Sequence, residues 1–320
     1  MTEAPDLSIC IVNWNGREML RRLLQSIAAA TDPVTREVVV VDNASTDGSV
    51  EIVAAEFPGA RWLRNEQNVG CTAGYNQAAQ VTRGRHLLFM NNDTVIRPGA
   101  MAKLVAFLDT HPEYSSVGPC LIGGDDKPQW TGRGFPTLGA LLHRIAFLKW
   151  TGLFRRAYRD YRRGDFEPDR SSNAQQLSGS AFVVRRKHYN AIVKWDEGFE
   201  FGLEDVDLCA RLLRCGPIYY LREAEIVHFG RISSRANRSF VYRGFECGYA
   251  RFLRKHRSRA AAIIYKMLVT LDMPVRLALL GLHLMWYRFI GRRDRMDRCR
   301  QELSAATSFA LSGLPRFWRA

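Results

Sequence analysis

Three apolar runs in the first hundred residues end in amide and carboxylate side chains. The runs are LSICIVN (7–13, followed by Trp14 and Asn15), EVVVVDN (37–43) and HLLFMNNDT (86–94). Amides and carboxylates can hydrogen-bond a base or a ribose, and a carboxylate can hold a divalent cation that also binds a diphosphate. Each ending alone could be a plain turn, but three of a kind predict one ligand site, with the candidate residues Asn13, Asn15, Asp42, Asn43, Asn92 and Asp93.

Of the two carboxylates in this set, Asp42 has an alternative structural role and Asp93 needs a second metal ligand. Asp42 could cap the next helix, but Ser45 or Thr46 can supply that cap and leave Asp42 for a ligand. Asp93 alone is not a metal site, because Mg²⁺ usually takes one or two protein carboxylates together with phosphate oxygens. His228, in VHFGRISS, is the candidate second metal ligand, although a lone histidine is more often structural.

Two acidic residues begin a predicted helix in FEFGLEDVDLCARLLRCG. A carboxylate at a helix N-terminus is expected to stay ionised at neutral pH and can act as a general base on a hydroxyl group. Neighbouring helical residues point about 100° apart, so Glu204 and Asp205 cannot share one target. The alternative is that both, with Asp207 close behind, only complement the helix dipole.

A glycine-containing stretch, NEQNVGCTAGYNQA (65–78), precedes and starts another predicted helix. Gly70 and Gly74 allow close backbone approach, Asn68 and Asn76 add amide donors, and helix N-termini favour anions. The spacing is neither a Walker A motif nor GxGxxG. This stretch is weak evidence by itself and gains weight only beside the strand ends.

The elements that must position these residues alternate between strand and helix. Strands are predicted at 7–13, 37–43, 60–65, 86–90 and 115–122, with helices at 17–30, after STDGS, at 71–82 and at 99–109. Near-continuous apolar strands alternating with helices predict a mostly parallel sheet covered by helices on both faces. Ligands bind such sheets at the carboxyl ends of the strands, where the polar endings should meet.

The rest of the chain departs from this alternation. Residues 123–175 have weak periodicity and predict a hairpin with a flexible basic loop from Arg155 to Arg163. Strands are predicted at 181–186, 218–221 and 225–228. Beyond about residue 237 the chain is predicted to be helical and basic, with 15 Lys and Arg against 4 Asp and Glu in residues 251–320.

The C-terminal region suggests a membrane surface as a partner. Ile263, Ile264, Met267, Leu268 and Leu271 share one helical face. Either this region packs on the core with a solvated basic face, or it is an interfacial amphipathic element on an anionic membrane. Residues 260–290 are interrupted by charges and a proline, so a spanning helix is not predicted.

Composition limits the classes of function. The chain has 320 residues, 47% of them apolar, and a net charge of +14, which indicates anionic partners such as nucleic acid, phosphorylated substrates or an anionic membrane. Seven scattered cysteines without a CxxC motif predict free thiols in a reducing compartment. The N-terminal MTEAPDLSIC has no basic n-region, so no signal peptide is predicted.

Together, the quoted stretches resemble the inverting family 2 glycosyltransferases, whose fold is the GT-A nucleotide-diphospho-sugar transferase fold. The resemblance covers about residues 7–234, including SGSAFVVRR (178–186), and is strongest to bacterial rhamnosyltransferase-like members that build cell-wall or surface polysaccharides. It implies a GT-A domain over 1–236, with a nucleotide-binding half (1–120) and an acceptor and catalytic half (121–236). A basic amphipathic helical extension would occupy 237–320.

The resemblance also implies roles. Asp205 would be the catalytic base with Glu204 as its partner, and Asp93 and His228 would hold Mn²⁺ or Mg²⁺. The donor would be bound by Asn13, Asn15, Asp42, Asn43, Asn68, Gly70, Asn76, Asn92, Gly179 and Ser180. The family's DxD motif reads Asn-Asn-Asp here, so its first carboxylate is an amide and less charge is available for the metal.

The expected partners are a nucleotide-diphosphate sugar, with rhamnose as one candidate sugar, and a lipid-linked or polysaccharide acceptor. The protein would be cytoplasmic and peripheral on the inner face of the cell membrane, with a homo-oligomer left open. Two alternatives are a nucleotidyltransferase on a related sheet and a nucleic-acid-binding protein. The first lacks a basic glycine-rich loop after strand one, and the second lacks an RNP-like strand or zinc spacing. A catalytically silent scaffold is disfavoured because the candidate acidic residues and His228 are all present.

Overall fold

The structure is a computed structural model, and it describes residues 3–164, 166–192, 194–230 and 237–320. The chain divides into two compact units. The sheet unit comprises Met1–Arg133, Asp165–Glu200 and Glu204–Gly230, and the helical unit comprises Gly134–Gly164, Phe201–Leu203 and Arg231–Ala320. Residues 134–164, which the sequence analysis placed in the first domain, therefore cluster with the C-terminal helices.

A nine-stranded mixed sheet forms the core of the sheet unit. Its strands are β1 Leu7–Asn13, β2 Arg36–Asp42, β3 Arg61–Arg64, β4 His86–Asn91, β5 Thr94–Ile96, β6 Ser116–Ile122, β7 Ser172–Ala174, β8 Ala181–Arg185 and β9 Ile218–His228. The strand order is β3-β2-β1-β4-β8-β6-β9-β5, and β7 also pairs with β9. The first four strands are parallel, as predicted, and antiparallel pairs appear only where β5, β7 and β8 join.

Helices follow most of the strands. Those of the sheet unit are Arg17–Ala29, Ala54–Glu56, Cys71–Val81, Ala100–Thr110, Arg186–Ala191 and Glu204–Leu212, and a π-helical turn, Ser49–Val53, precedes the second. Those of the helical unit are Leu138–Leu142, Ala146–Lys149, Arg155–Arg162, Arg238–His256, Arg259–Phe289, Arg293–Ser308 and Leu314–Arg319, with a π-helical turn at Phe309–Gly313. The sheet with its helices and the helical C-terminal region thus agree with the predicted α/β fold class.

The strand register explains why the polar endings meet. Asn13 at the end of β1 pairs with Asp42 at the end of β2, and Val12 pairs with Asn91 at the end of β4. The apolar parts of β1 and β4 are buried, so both strands are fixed in the core. Because the three strands are parallel and in this register, their polar ends open on one edge of the sheet, as predicted.

Two sequence predictions for the later elements are wrong. The strands predicted at 218–221 and 225–228 are one strand, β9, because a register shift opposite Pro119 and Cys120 absorbs the residues between them. The loop predicted from Arg155 to Arg163 is largely a helix, Arg155–Arg162. Its periodicity was weak because only Tyr161 is buried, with its hydroxyl 3.0 Å from that of Tyr249.

Candidate functional site

A chain of hydrogen bonds joins the ends of β1, β2 and β4. Asn92 Nδ2 donates to Asn13 Oδ1 (2.8 Å), and Asn13 Nδ2 donates to Asp42 Oδ1 (2.9 Å). Gly16 lies against the same amides, since a Cβ there would come within 2.1 Å of Asn92 Nδ2. Asn13 and Asn92 are therefore held in place by each other before any ligand binds.

Asp42 is less available than the sequence suggested. Its carboxylate accepts hydrogen bonds from the Ser45 amide (2.9 Å), the Ser45 hydroxyl (2.6 Å) and Asn13. Neither Ser45 nor Thr46 caps the following helical turn, whose N-cap is Gly48. The expectation that such a cap would free Asp42 is wrong, because Ser45 turns back onto Asp42 instead. Asp42 is buried, and three of its roughly four acceptor positions are occupied.

The turn after β1 is held open by a left-handed residue. Asn15 has φ +50°. Its amide N–H donates to Ser45 Oγ (2.9 Å), and its side-chain oxygen accepts from the Thr46 amide (2.7 Å). Asparagine tolerates this backbone conformation better than most residues do. The turn leaves the neighbouring Trp14 about half exposed beside the polar edge, which provides an apolar surface there.

Asn43, Asn68 and Gly70 form the adjoining part of the edge. Asn43 Nδ2 donates to the Gly70 carbonyl (3.1 Å), and Asn68 Oδ1 accepts from the Gly70 amide (2.9 Å). Gly70 has φ +88°, and a Cβ on this residue would have no atom within 4 Å, so conformation, not crowding, requires glycine there. These contacts place the glycine-containing stretch beside the end of β2.

Asn76 serves the fold. Its Nδ2 donates to the Trp195 carbonyl (3.0 Å) and to Glu197 Oε1 (2.7 Å), while its Oδ1 accepts from the Tyr189 hydroxyl (2.6 Å) and the Trp195 amide (3.0 Å). All four hydrogen-bonding positions of the amide are occupied. Asn76 thus has no position left for the donor to which the resemblance assigned it.

Asp93 and His228 face each other just beyond the C-terminal end of β4. Thr94 pairs with His228 between β5 and β9, and Asp93 Oδ1 lies 3.5 Å from His228 Nε2, beyond hydrogen-bond range. Asp93 Oδ1 is buried and has no hydrogen-bond partner among the described residues. An unsatisfied buried carboxylate oxygen is costly, so this atom is suited to a ligand.

Gln129 sets the tautomer of the neutral His228 ring. Gln129 Nε2 donates to the His228 carbonyl (2.7 Å), which turns Gln129 Oε1 toward His228 Nδ1 (2.9 Å). Nδ1 must then carry a proton, and in the neutral ring Nε2 presents its lone pair to Asp93. Burial lowers the pKa of His228, with Asp93 acting against it, which favours the neutral form that ligates metals.

This pair fits a divalent cation as two ligands of a larger set. Within the described ranges, no three His, Cys, Asp or Glu side chains form a metal-binding group. Carboxylate and imidazole are both ordinary ligands, and the remaining positions would be filled by ligand oxygens or water. Asn91, which replaces the first acid of the motif, accepts a hydrogen bond from the Tyr75 hydroxyl (3.1 Å) and adds no charge.

Asp205 is held at the start of its helix by backbone amides. Gly179 N–H donates to Oδ2 (2.9 Å), and the Val206 N–H donates to Oδ1 (2.8 Å). Burial raises the pKa of Asp205 above its ordinary value of 3.8, while these N–H groups and the charge of Arg133 oppose the rise. The expected dominance of the helix N-terminus is therefore wrong in direction, and the raised pKa makes Asp205 a stronger base once ionised.

The other acidic residues of this helix differ from Asp205. Asp207 is fully buried, with Oδ2 2.6 Å from Arg211 Nη2, and Arg211 also donates to the carbonyls of Ile192 and Lys194 (both 2.6 Å). Asp207 therefore stabilises the fold. Glu204 lies in the first turn of this helix, beside Asp205.

Strand pairing brings Asp205 toward the same edge as Asn91. The Asn91 amide donates to the Ser180 carbonyl (2.9 Å), and Ser180 follows Gly179, which holds Asp205. Asn91 is also two residues before Asp93. The β4–β8 junction thus connects the segment of Asp93, a predicted metal ligand, to Asp205, the predicted base, through the Asn91–Ser180 backbone bond and the Gly179 amide.

Sequence reasoning missed Gln129 and Arg133. Gln129 follows the hairpin closed by the Ile122–Pro128 bridge, and only the pairing of β6 with β9 brings it beside His228. The sequence predicted a hairpin in this region but carried no signal for its register. Arg133 bridges to Gln176 and acts on Asp205 through its charge, and its place in a weakly periodic segment concealed it.

Comparisons with known proteins identify relatives of this chain. An L-rhamnosyltransferase of Mycobacterium tuberculosis, N-acetylglucosaminyl-diphospho-decaprenol L-rhamnosyltransferase, is 27% identical over 237 residues, covering 69% of this chain and 75% of that protein. The succinoglycan biosynthesis protein ExoO of Rhizobium meliloti is 25% identical over 303 residues, covering 87% of this chain and 80% of that protein.

Solved structures share the fold. A mannosyltransferase from Pyrobaculum calidifontis, in complex with GDP-Man and Mn²⁺, superposes with a TM-score of 0.57 at 16% identity, covering 97% of this chain and 88% of that one. The family model described as glycosyl transferase family 2 matches residues 8–190, more than half of the chain. The chain is therefore a glycosyltransferase that belongs to family 2.

Proposed function

We propose that this enzyme transfers a sugar from a nucleotide-diphosphate sugar to a hydroxyl group of a lipid-linked carbohydrate, inverting the anomeric carbon. The observation that carries the proposal is Asp93 Oδ1, which has no hydrogen-bond partner within the described ranges and faces His228 Nε2. It is joined through β4 and β8 to a separately held carboxylate, Asp205. One position is suited to the leaving diphosphate and the other to the attacking hydroxyl.

In this mechanism Asp205 is the general base. It accepts the proton of the acceptor hydroxyl, and the oxygen attacks the anomeric carbon from the face opposite the leaving group. The new glycosidic bond forms as the bond to the diphosphate oxygen breaks, and the electron pair leaves with the nucleoside diphosphate. The N–H groups of Gly179 and Val206 fix the carboxylate, so one of its lone pairs stays directed while the proton moves.

Asp93 and His228 would hold a divalent cation with the donor's phosphates. When bound, Mn²⁺ or Mg²⁺ would supply positive charge against the leaving diphosphate. An imidazole ligand favours Mn²⁺ slightly. The Mn²⁺ in the mannosyltransferase complex supports a cation in the same fold, and the lone pair that Gln129 fixes on His228 supports one in this chain.

The nucleotide would lie along the polar edge formed by Asn13, Asn15, Asn43, Asn68, Gly70 and Asn92. Asp42 would act through Asn13, because most of its acceptor positions are occupied within the protein. Gly179 and Ser180 would border the donor sugar and the acceptor. Glu204 would brace the loop beside Asp205. Asn76 is excluded from this set because its amide is saturated.

The relatives support the acceptor class. One is named for rhamnosyl transfer to a diphospho-decaprenol-linked sugar and another for succinoglycan biosynthesis. We therefore propose a lipid-diphosphate-linked sugar as acceptor, rhamnose as the first donor sugar to test, and a location on the cytoplasmic face of the cell membrane.

A nucleotidyltransferase is the less favoured alternative. Such an enzyme would need free cationic and amide groups after β1 to bind a triphosphate. Arg17, the only basic residue of NWNGREM, instead donates from its backbone amide and guanidinium to Asp47 (2.9 and 3.1 Å). The loop is thus engaged with the protein.

The test is a thermal-shift screen of nucleotide sugars with and without Mn²⁺, followed by donor hydrolysis assays on the compounds that bind. A donor at about 100 times its Kd should stabilise the protein by about 2.7 kcal/mol. Asp93→Asn should remove the Mn²⁺-dependent part of this shift, whereas Asp125→Asn, in the exposed turn of the neighbouring hairpin, should leave it unchanged. Failure of every nucleotide sugar to stabilise the protein would contradict the proposal.

A further inference from the structure

The longest helix of the helical unit, Arg259–Phe289, has an outer face without charge. It has 31 residues and is about 45 Å long. Its exposed apolar side chains fall within an arc of about 140° at 100° per residue. They are Ile263, Ile264, Met267, Leu271, Val275, Leu282, Met285, Trp286 and Phe289, and Phe289 is 83% exposed. We call this set the outer face.

Three of the charges that interrupt this segment in the sequence, Lys266, Asp272 and Arg276, point inward. Asp272 is fully buried, accepting from the Ala146 amide (2.9 Å) and pairing with Arg276 (3.2 Å), and Lys266 Nζ donates to the Trp318 carbonyl (3.0 Å). Pro274 lies on the outer side and does not end the helix. The charges that the sequence analysis counted against a spanning helix therefore leave the outer face apolar.

This helix is long and apolar enough to cross a membrane, but length and composition alone are weak evidence for a membrane span. Its inner side is covered along its length by the returning chain: Arg295 lies over Tyr287, Cys299 Sγ is 3.3 Å from the Leu280 carbonyl, and Trp318 meets Lys266. Crossing would carry the charged helix Arg293–Ser308 into hydrocarbon, at about 2.5–3.5 kcal/mol for each arginine. Contact along the surface carries no such cost.

A second exposed apolar element belongs to the same unit. Trp150 (81% exposed) and Leu153 (76%) lie in the turn between the helices Ala146–Lys149 and Arg155–Arg162. The first of these helices is tied to the long helix by the bond from the Ala146 amide to Asp272. Tryptophan is enriched where protein meets the membrane–water interface.

The net charge of the helical unit indicates which kind of partner covers its exposed apolar surfaces. Residues 134–164 and 237–320 contain 24 Lys and Arg against 6 Asp and Glu, while the whole chain contains 46 and 32. The net positive charge of the protein is thus confined to the helical unit, and the rest is slightly acidic. Basic residues beside an exposed apolar face are attracted to anionic lipid, at about 1 kcal/mol each near the surface, whereas a second copy of this basic unit would be repelled.

We propose that the outer face and the Trp150–Leu153 turn form a docking surface for an anionic phospholipid bilayer, with the helix Arg259–Phe289 lying in the plane of the interface. The apolar side chains enter the boundary between headgroups and acyl chains, and the surrounding arginines contact the lipid phosphates. This surface belongs to the helical unit and does not depend on the identity of the sugar donor.

The test is co-sedimentation of the full chain with vesicles of phosphatidylcholine alone or mixed with phosphatidylglycerol. Binding should require the anionic lipid and weaken with salt. The triple variant Leu271→Ser, Leu282→Ser, Met285→Ser should lower partitioning about tenfold or more. The matched control Leu271→Met, Leu282→Met, Met285→Leu keeps the face apolar and should bind as the wild type does. Thermal melting checks that both variants fold.

Three results would overturn the proposal. Equal partitioning of the serine variant and its control would show that the outer face is not part of the membrane-docking surface. Concentration-dependent dimerisation without vesicle binding, lost in the serine variant, would show that a second copy covers it. Membrane-bound protein that alkaline carbonate cannot release would indicate a spanning helix. Nucleotide-sugar stabilisation, measured on the same variants, should be unchanged, which separates this outcome from failure of the proposed activity.

Discussion

At the scale of single residues, the site is distinguished by which polar groups the protein leaves unsatisfied. Asn76 and Asp42 have side chains of a type that binds ligands, yet both side chains are engaged in hydrogen bonds within the protein. Asp93 Oδ1 is buried without a hydrogen-bond partner among the described residues, and the lone pair of His228 Nε2 faces it. The difference lies in hydrogen-bond partners, which depend on contacts distant in the chain.

Gln129 provides the first prediction. Replacing Gln129 with Leu removes the group that keeps the proton on His228 Nδ1, so the Mn²⁺ affinity of the donor-bound enzyme should fall about 10–100-fold. Isothermal titration of Mn²⁺ with the donor present measures this. The control is Lys127→Leu, in the same hairpin and away from His228. An unchanged Mn²⁺ affinity in Gln129→Leu would show that Gln129 does not orient a metal ligand.

The raised pKa of Asp205 predicts the acid limb of the pH–rate profile. The base works only when ionised, so kcat should fall as the pH drops through an apparent pKa above 3.8. For stability the sign is opposite to that of a salt-bridged acid: the folded state binds the proton more tightly, so this group favours folding below its folded pKa and loses that contribution as the pH rises. Initial rates at saturating donor and acceptor test this prediction. A kcat that keeps increasing as the pH is lowered below 3.8 would contradict it.

At the scale of elements, the helix Cys71–Val81 is placed by packing rather than by a ligand. A Cβ on Gly74 would meet the Val12 side chain of β1 at 2.8 Å, so glycine lets the helix approach the sheet closely. The sequence analysis had assigned this close approach to a ligand. Gly70, at φ +88°, is the glycine of this stretch that lies at the polar edge.

Gly74→Ala should therefore destabilise the protein by about 1–3 kcal/mol through overpacking against β1. Gly59→Ala is the matched control, because a Cβ there has no atom within 4 Å and its φ is not positive. That control should be neutral or stabilise by a few tenths of a kcal/mol. Urea unfolding of both variants gives the comparison, and equal midpoints would show that the close packing of this helix on β1 is not required.

The strand endings were predictable because they depend on local pattern. Apolar runs that stop at Asn13, Asp42 and Asn91 are visible in the sequence, and parallel pairing places them on one edge. The helix Arg155–Arg162 was not predictable, because only one of its side chains is buried. Gln129 and the saturation of Asn76 were not predictable either, since both depend on pairings of residues about a hundred positions apart.

At the scale of the whole molecule, charge and chemistry are separated between the two units. The predicted site residues belong to the sheet unit, which is slightly acidic, while the excess of Lys and Arg belongs to the helical unit. The total charge of +14 suggested anionic partners, and the sequence analysis placed most of the excess in residues 251–320. In the proposed division, one unit binds a nucleotide sugar through polar groups and a divalent cation, and the other unit binds an anionic surface.

The most direct test of the central claim compares Asp205→Asn with the wild type in donor binding and in turnover. Asparagine keeps the size of the side chain but cannot accept the hydroxyl proton. The account predicts that kcat falls about 10²–10⁴-fold while the Kd of the nucleotide sugar changes little. Turnover close to that of the wild type, with the donor still bound, would contradict the assignment of Asp205 as the base.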